Sequence, residues 1–433
     1  METFRAVTHI AVANDWVLHQ IDVKTAFLRG ELEPGEEVYM KQPKGFEEEG
    51  WKDDIWELQR GLYGLPQGGC IWNKKMNKEM VTLGFTRLKC EYCLYFRQTE
   101  DGTVLTGIHV DDFFTAASCL IQATTFRDQL ASIWEISDLG EAKFCLGIAI
   151  ERDLVNRHIY LSQTALIDKV LTTFSMTNCN PVSTPMEAGL ILSRHSDVEL
   201  TREEELELCN TPYRRLVGLL MYLAIATRPD IALAVQKLSQ FMTSYRAIHW
   251  NAAKRVLRYL NGTRRLQLRL GGTQPVRLTA FSDASHACCP DSRKSIGAYC
   301  FSLGSGVVSW ASRKQKTVAQ STCDAEYIAC AEAARECMWL RMLMAEIKLP
   351  QTDPTPLLTD NEAALALAKD PRFHARAKHI NTKYHYIREC HDNGDIHVSY
   401  VPTKDNVADI FTKPLPAPAF LYLRSHLGLC DLP

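Results

Sequence analysis

Residues 278–283 read Leu-Thr-Ala-Phe-Ser-Asp, an alternating run that predicts a β-strand ending on the carboxylate of Asp283. Further along, a helix is predicted by a stripe at spacings of four, three, four, three and four: Glu326, Cys330, Ala333, Cys337, Leu340 and Met344. Glu326 is the acid on that otherwise apolar face. Because a buried carboxylate needs a compensating partner, these two acids are candidates for a functional site.

Two further acids stand in comparable positions. Asp360 ends the short apolar run 356–360, with a helix-like segment at 361–368 behind it. Asp409 lies in a predicted short helix that follows a strand predicted at 396–401. Taken singly, each aspartate has the alternative role of a cap or turn former. Four carboxylates gathered at strand ends and helix faces would repel one another unless cations sat between them, so the set favours a metal site.

Short motifs surround these acids at 281–285 (FSDAS), 293–295 (RKS), 308–315 (VSWASRKQ), 325–329 (AEYIA), 378–380 (KHI) and 408–413 (ADIFTK). Together they resemble the RNase H domain of copia-type LTR retrotransposons. Upstream motifs stand at 20–28 (QIDVKTAFL), 38–43 (VYMKQP), 61–67 (GLYGLPQ), 109–112 (HVDD) and 227–231 (TRPDI). These resemble the reverse transcriptase and connecting region of the same elements, so the resemblance covers essentially the whole chain in one order.

The resemblance implies an α/β (α+β) architecture in three parts. A partial right-hand polymerase, with palm and thumb but without fingers, is expected over 1–190. A linker and connection helices are expected over 191–272, where apolar residues at helical spacing follow Pro229 and precede Gly262. An RNase H-like domain with a mixed five-stranded sheet is expected over 273–433.

For the RNase H-like part, the resemblance implies that Asp283, Glu326, Asp360 and Asp409 hold two Mg²⁺ ions, with Mn²⁺ as a substitute. Two such ions would assist water in cleaving the RNA strand of an RNA–DNA hybrid. The residues Arg313, Lys314 and Lys316 are the predicted nucleic-acid contacts. Cellular enzymes of this fold carry a mobile histidine before the last acid; the chain has none there, and His374 or His379 is a substitute candidate.

The upstream half carries a second set of acids. Residues 15–27 alternate as a strand through Asp22, and residues 104–116 alternate around Asp111 and Asp112, as in a hairpin with two acids at its tip. An ordinary turn is the alternative. By resemblance, Asp22 and Asp111 would hold two catalytic metals, with Asp112 beside them.

Two other residues of this half are nucleotide or template candidates by resemblance. Phe27 matches the aromatic residue that would exclude a 2′-hydroxyl, although an ordinary core aromatic is the alternative. Gln67 would lie near the template or the incoming nucleotide, at the start of a helix whose apolar face holds Trp72, Met76, Met80 and Leu83.

Several departures from the family pattern affect this half. The chain starts at Met1, just after the basic fingers region that grips the triphosphate in the family, which predicts a truncated copy or a partial gene model. His109 replaces the usual aromatic before Val-Asp-Asp, and Pro66 and Cys70 stand where Lys and Arg are common. Lost cations weaken triphosphate binding, so polymerase activity is expected to be crippled.

Composition adds three limits. The 433 residues, 46% hydrophobic, can form two or three cores. Fifteen cysteines without a signal peptide indicate reduced thiols, and the apolar runs are too short to span a membrane. The net charge of −2 hides thirteen Lys or Arg against two acids between 246 and 316, which is either a solvated face or a phosphate-binding surface.

The sequence therefore predicts a retrotransposon Pol fragment with RNase H activity and a doubtful polymerase. The partners would be an RNA–DNA hybrid, a primed RNA or DNA template and, for an active polymerase, dNTPs, with no membrane. By the resemblance, its location would be the cytoplasm, within virus-like particles, or the nucleus. The alternatives are a binding module that no longer cuts and an inert relic; hybrid-cleavage assays separate them.

Overall fold

A computed structural model describes residues 1–51, 54–194, 201–202, 210–369 and 381–431. The described helices are α1 Glu2–Ala13, α2 Gly68–Thr82, α3 Leu120–Ile133, α4 Thr164–Thr173, α5 Tyr213–Ala226, α6 Ala232–Ser239, α7 Ala247–Gly262, α8 Thr322–Glu346, α9 Glu362–Lys369, α10 Asn381–Asp392 and α11 Ala417–His426. Within these described ranges, no helix is both long enough and apolar enough to cross a membrane.

The strands of the first part are β1 Val17–Val23, β2 Tyr39–Lys41, β3 Ile55–Glu57, β4 Thr86–Arg87, β5 Leu94–Thr99, β6 Gly102–His109, β7 Asp112–Ala117 and β8 Ile136–Glu141. Those that follow are β9 Phe144–Cys145, β10 Ile148–Asp153, β11 His158–Ser162, β12 Gln267–Gly271, β13 Thr279–Ser285, β14 Ile296–Ser302, β15 Val307–Lys314, β16 Thr355–Thr359, β17 Ile396–Tyr400 and β18 Leu429–Cys430.

The chain divides into two compact units, residues 16–142 and residues 1–15 with 143–433. The predicted domain limits at 190 and 272 fall at other positions than these cuts, and they stay predictions.

The unit of residues 16–142 is built on an antiparallel sheet with strand order β4-β5-β6-β7-β1-β8. The predicted hairpin around Asp111 and Asp112 is confirmed as β6 and β7, and the predicted strand at 15–27 is confirmed in its middle as β1. Its last residues instead form a 3₁₀ turn, Ala26–Arg29. Helices α2 and α3 contribute Trp72, Met76 and Phe126 to a core with the sheet, because their apolar residues repeat at helical spacing.

The second unit contains a mixed sheet of order β15-β14-β13-β16-β17, in which β13 and β14 are antiparallel while β13, β16 and β17 run parallel. Helix α8 packs against β13 and β14. Its predicted stripe is buried throughout, so the pattern located the face correctly. The predicted fold class, an α/β protein with a mixed five-stranded sheet in its last part, is confirmed.

The same unit also holds a sheet of order β18-β12-β11-β10-β9 and the helices α5, α6 and α7. The predicted helix start at Pro229 is a 3₁₀ turn, Pro229–Ile231, that leads into α6. The motif at 227–231 has a structural role here. Arg228 and Asp230 form a bidentate ion pair, Nε to Oδ1 at 3.0 Å and Nη2 to Oδ2 at 2.8 Å, and both side chains are buried.

Candidate active sites

Three of the four predicted nuclease acids meet on the mixed sheet. Asp283 lies on the central strand β13, Glu326 near the start of α8, and Asp360 directly after β16. Carboxylate oxygens of the three all lie within 4.8 Å of one another. Asp283 and Asp360 are 77 positions apart in sequence. They meet because β13 and β16 pair in parallel, which places the carboxyl ends of both strands at the same edge of the sheet.

Asp409 joins the group through Asp283. It is buried in a 3₁₀ helix, Val407–Phe411, and its carboxyl is in hydrogen-bond contact with that of Asp283. The helix is attached to β13 by Asn406, whose Nδ2 donates to the Ser282 carbonyl at 3.2 Å. Asp409 therefore adjoins the group of three acids at Asp283.

Two residues of the motif at 408–413 that were not predicted as site residues also contact the acids. The Thr412 hydroxyl donates to Asp283 Oδ2, and Lys413 Nζ lies 2.9 Å from Asp409 Oδ1. The contact with Lys413 could have been predicted from the sequence, because residues four apart on a helical turn are neighbours.

The negative charges of the four carboxylates are not balanced by the positive charge around them, and the raised pKa values of Glu326, Asp409 and Asp283 show this. Burial, followed by repulsion from Asp283 and Asp360, raises the pKa of Glu326 to about 9. Burial and the charge of Asp283 raise the pKa of Asp409 to about 7, and burial is also the main cause that raises the pKa of Asp283. Glu326 Oε2 is buried without a hydrogen-bond partner among the described residues. An orphaned oxygen beside repelling carboxylates fits a hard divalent cation.

Added metal should therefore raise the melting temperature. Because the folded state binds the Glu326 proton more tightly than the unfolded chain, the stability of the metal-free protein falls as pH rises from the ordinary carboxyl pKa toward 9. At pH 8 we expect Mg²⁺ at a hundred times its Kd to stabilise the fold by about 2.7 kcal/mol. The measurement is a thermal melt with and without Mg²⁺.

The matched variants lie on the same helix. Glu326→Gln should melt higher than the parent without metal and should lose the Mg²⁺ shift. Glu332→Gln, an acid with 39% exposure of its side chain, should keep it. If Mg²⁺ raised the melting temperature of Glu326→Gln as much as that of the parent, Glu326 would not be a metal ligand.

The polymerase acids also converge. Asp22 on β1 is directly opposite Asp112 on β7, and Asp111 stands at the hairpin tip between β6 and β7. The Asp111 carbonyl accepts from the Val23 amide at 2.9 Å, and Gln20 Nε2 donates to Asp112 Oδ1 at 3.3 Å. Burial, then Asp111 and Asp112, raise the pKa of the Asp22 carboxyl. This charge pattern fits a bound cation, as in the first cluster.

The two nucleotide candidates lie around the start of α2. Phe27 is half-buried, and its ring centroid is 4.9 Å from that of Tyr63, a half-exposed residue that the sequence did not single out. Gln67 is half-buried at the N-cap of α2. Their roles in nucleotide or template binding stay predictions.

The three predicted basic contacts differ in exposure. Arg313 and Lys316 are exposed. Lys314 is half-buried, with its Nζ 2.9 Å from Cys289 Sγ and 3.1 Å from Gln240 Oε1. A role of Lys314 in nucleic-acid binding stays a prediction, and it would require these contacts to be exchanged.

Part of the wider basic block is structural. On α7, Arg255 donates to Thr184 Oγ1 at 3.1 Å and Arg258 donates to the Asn180 carbonyl at 2.8 Å. Just beyond the helix, Arg264 pairs with Asp168 at 3.3 Å. These arginines hold neighbouring chain segments. The substitute histidine candidates, His374 and His379, lie outside the described residues.

Comparison with known proteins gives a family match for the first part of the chain and relatives over nearly all of it. Residues 1–188 match the family described as "Reverse transcriptase (RNA-dependent DNA polymerase)". The "Retrovirus-related Pol polyprotein from transposon TNT 1-94" of Nicotiana tabacum is 37% identical over 99% of this chain and 32% of its own length. The polyprotein from transposon RE1 of Arabidopsis thaliana is 36% identical over 100% of this chain and 29% of its own length.

Two further matches differ in length and kind. A putative transposon Ty5-1 protein of Saccharomyces cerevisiae is 35% identical, over 73% of this chain and 100% of its own length. Among solved structures, a foamy viral protease-reverse transcriptase in complex with dsDNA matches 89% of this chain and 68% of that chain, at a TM-score of 0.49 and 12% identity.

The palm-like sheet with its acids and the family match define a reverse transcriptase domain, followed here by an RNase H-like fold. The chain belongs to the copia-type retrotransposon Pol polyproteins. It spans about a third of the length of the first two plant relatives, 32% and 29%.

Proposed function

We propose that the second unit is a two-metal ribonuclease H that cleaves the RNA strand of RNA–DNA hybrids. The observation that carries the proposal is the convergence of Asp283, Glu326 and Asp360 within 4.8 Å, with Asp409 in contact with Asp283. Asp283, Glu326, Asp360 and Asp409 would hold the ions. Bound Mg²⁺ supplies activation of water and neutralisation of charge at the phosphate.

The remaining residues of this unit would place the substrate and the acids. Thr412 orients the Asp283 carboxylate through its hydroxyl, and Lys413 offsets the charge of Asp409. Arg313 and Lys316 are exposed and would contact the phosphate backbone by charge. Preference for a hybrid would come from contacts to RNA 2′-hydroxyls in the minor groove.

The test is an assay of the full chain on a hybrid whose RNA strand is labelled. With Mg²⁺, the RNA should be cut at many positions, leaving 3′-hydroxyl and 5′-phosphate ends, while the DNA strand stays intact. A chelator should stop the reaction. A chain that binds the hybrid with Mg²⁺ present and leaves the RNA whole would instead support the alternative of a non-catalytic binding remnant.

Hybrid affinity should depend on salt through the exposed basic residues. The logarithm of the binding constant should fall with the logarithm of salt concentration by about 0.9 for each phosphate contact, as for duplex DNA. Reversing the charge at Arg313 and Lys316 together should reduce that slope by about 2. The measurement is fluorescence anisotropy of a labelled hybrid across salt concentrations.

Arg277→Glu serves as the control, because this arginine is exposed on the same unit, with 75% of its side chain accessible. Its slope should change less than that of the double variant. Equal slopes for the parent and the double variant would show that Arg313 and Lys316 only face solvent.

A second candidate function is supported by the first unit. We propose that Asp22 and Asp111 hold divalent cations, with Asp112 beside them, and that the site was built for adding dNTPs to a primed template. Two features support this proposal. Asp22 is opposite Asp112 in the register of β1 with β7, and the Val23 amide donates a hydrogen bond to the Asp111 carbonyl. Phe27 and Gln67 would contact the sugar and the template or nucleotide.

The 433-residue chain alone should nevertheless extend primers poorly. Lys24, two residues after Asp22, pairs with Glu135 at 2.7 Å, and Arg29 lies 3.6 Å from the same carboxylate, so part of the positive charge of this segment is already paired. Pro66 and Cys70 add no charge at the start of α2. Since catalysis depends on holding the triphosphate in line, we expect extension at least about a hundredfold slower than in an active enzyme.

The measurement is extension of a labelled primer at micromolar dNTP. A variant carrying Pro66→Lys and Cys70→Arg should extend faster than the parent. Efficient extension by the parent would contradict this expectation.

A further inference from the structure

We propose that Trp72 is a positioning residue of the polymerase acids, which holds the Val110 turn that presents Asp111 beside Asp22. The inference rests on the proposed metal-holding role of Asp22 and Asp111. It concerns how the fold keeps these two carboxylates together.

The hairpin tip is conformationally strained. Strand β6 ends at His109 and β7 begins at Asp112, so Val110 and Asp111 make the turn. Val110 has a φ of 60°, in the left-handed region that a β-branched residue rarely adopts. The residue is 41% exposed, so burial of the valine does not compensate for the strain. Such a conformation persists only where surrounding contacts impose it.

The imposing contact comes from α2. Trp72 Nε1 donates to the Val110 carbonyl at 2.6 Å, across 38 positions of sequence. The indole itself is fixed, because Trp72 is only 2% exposed and its ring centroid is 5.0 Å from that of Trp134. A rigid donor thus selects the direction of the Val110 carbonyl, and with it the left-handed turn.

The next residue is bound by a different element. The Asp111 carbonyl accepts from Val23, the residue that follows Asp22 on β1. The two peptide units of the tip are therefore held by α2 and by β1 in turn. Together these bonds hold the backbone of Asp111 beside that of Asp22 and Val23. When the indole donor is lost, the bond from Val23 is left to hold the tip.

The test uses Fe²⁺ as a probe for bound metal. With ascorbate and peroxide, iron at a carboxylate site cuts the nearby backbone, and mass spectrometry locates the cuts. In the full chain, we expect cuts near residue 22 and residues 110–112, and also near residue 283, which serves as an internal control.

Trp72→Phe removes the donor and keeps an aromatic ring. The iron concentration for half-maximal cutting at the hairpin should rise about fivefold or more, the effect of one lost hydrogen bond, while that near 283 stays the same. Phe85→Leu, a change in the same apolar core at a ring that contacts Phe126 and lies outside the Trp72–Trp134 pair, should leave both unchanged. In a Val110→Gly background, glycine adopts the turn freely. There, Trp72→Phe should raise the iron concentration for half-maximal cutting at the hairpin by less than about twofold.

The outcomes are separable. No cutting at the hairpin of the parent, with cutting near 283, would refute the proposed metal role of Asp22 and Asp111. Cutting in the parent that Trp72→Phe leaves unchanged would overturn the positioning role of Trp72. If Trp72→Phe raises the half-maximal iron concentration as much in the Val110→Gly background as in the parent, strain at Val110 is not the reason that Trp72 is needed.

Discussion

Asp283→Asn should reduce cleavage of hybrid RNA by about a thousandfold or more while the fold is retained. Asp283 is 1% exposed on the central strand and contacts both Asp409 and Thr412. An amide keeps the size of the side chain and removes the charge that would hold a cation. Metal catalysis supplies several kcal/mol of transition-state stabilisation, and each 1.36 kcal/mol is a factor of ten in rate.

The fold should survive because repulsion among the acids decreases. Burial raises the pKa of Asp283, which shows that its charged form is disfavoured in the metal-free protein. The measurements are the cleavage rate at saturating hybrid and a thermal melt without metal. Asp353→Asn, in which the altered side chain is 77% exposed, is the matched control and should cleave normally. Parental rates in Asp283→Asn would refute the assignment of the site.

Asp230→Asn should lower the free energy of unfolding of the second unit by about 3–5 kcal/mol, the cost of leaving one partner of a buried ion pair alone. Arg228 and Asp230 are 1% and 2% exposed. Asp230 Oδ2 also accepts from the Tyr259 hydroxyl at 2.6 Å, and Arg228 donates to the Thr263 carbonyl at 3.1 Å. The variant would leave the guanidinium buried with carbonyl and hydroxyl oxygens only.

The ion pair also predicts a pH dependence. Burial alone would raise the pKa of Asp230, but the charge and hydrogen bonds of Arg228 outweigh it, and the pKa is lowered. A lowered carboxyl pKa contributes stability that is present above the unfolded value of about 3.9 and is lost as pH falls through the folded value. The difference between the parent and Asp230→Asn should therefore shrink below about pH 4.

Urea unfolding at pH 7 and pH 3.5, followed by a signal from the second unit, measures both effects. Asp168→Asn is the control, since its pair with Arg264 is 48% exposed on the acid side and exposed pairs contribute about 1 kcal/mol or less. A loss below 1 kcal/mol for Asp230→Asn would show that the buried pair is dispensable.

The sequence by itself determined the elements that carry the acids. Strand alternation ending at Asp283 and helical spacing through Glu326 predicted β13 and the buried face of α8, because both patterns arise within one element. The order of the four acids then matched a known family, and this identified the fold. The limits of the elements were less certain: the strand predicted through Phe27 ends at Val23 and gives way to a 3₁₀ turn.

Only the tertiary structure decided which charged and polar groups face one another. Alternation along β15 predicts that Arg313 and Lys314 lie on opposite faces of the strand. It does not predict that Lys314 Nζ contacts Cys289 and Gln240. Arg5 is likewise buried with its Nε donating to Val308 across 303 positions, and Trp72 reaches Val110 across 38. The physical reason is that periodicity reports the exposure of a position within its own helix or strand. The partner of a buried donor depends on how separate elements pack, which no local pattern records.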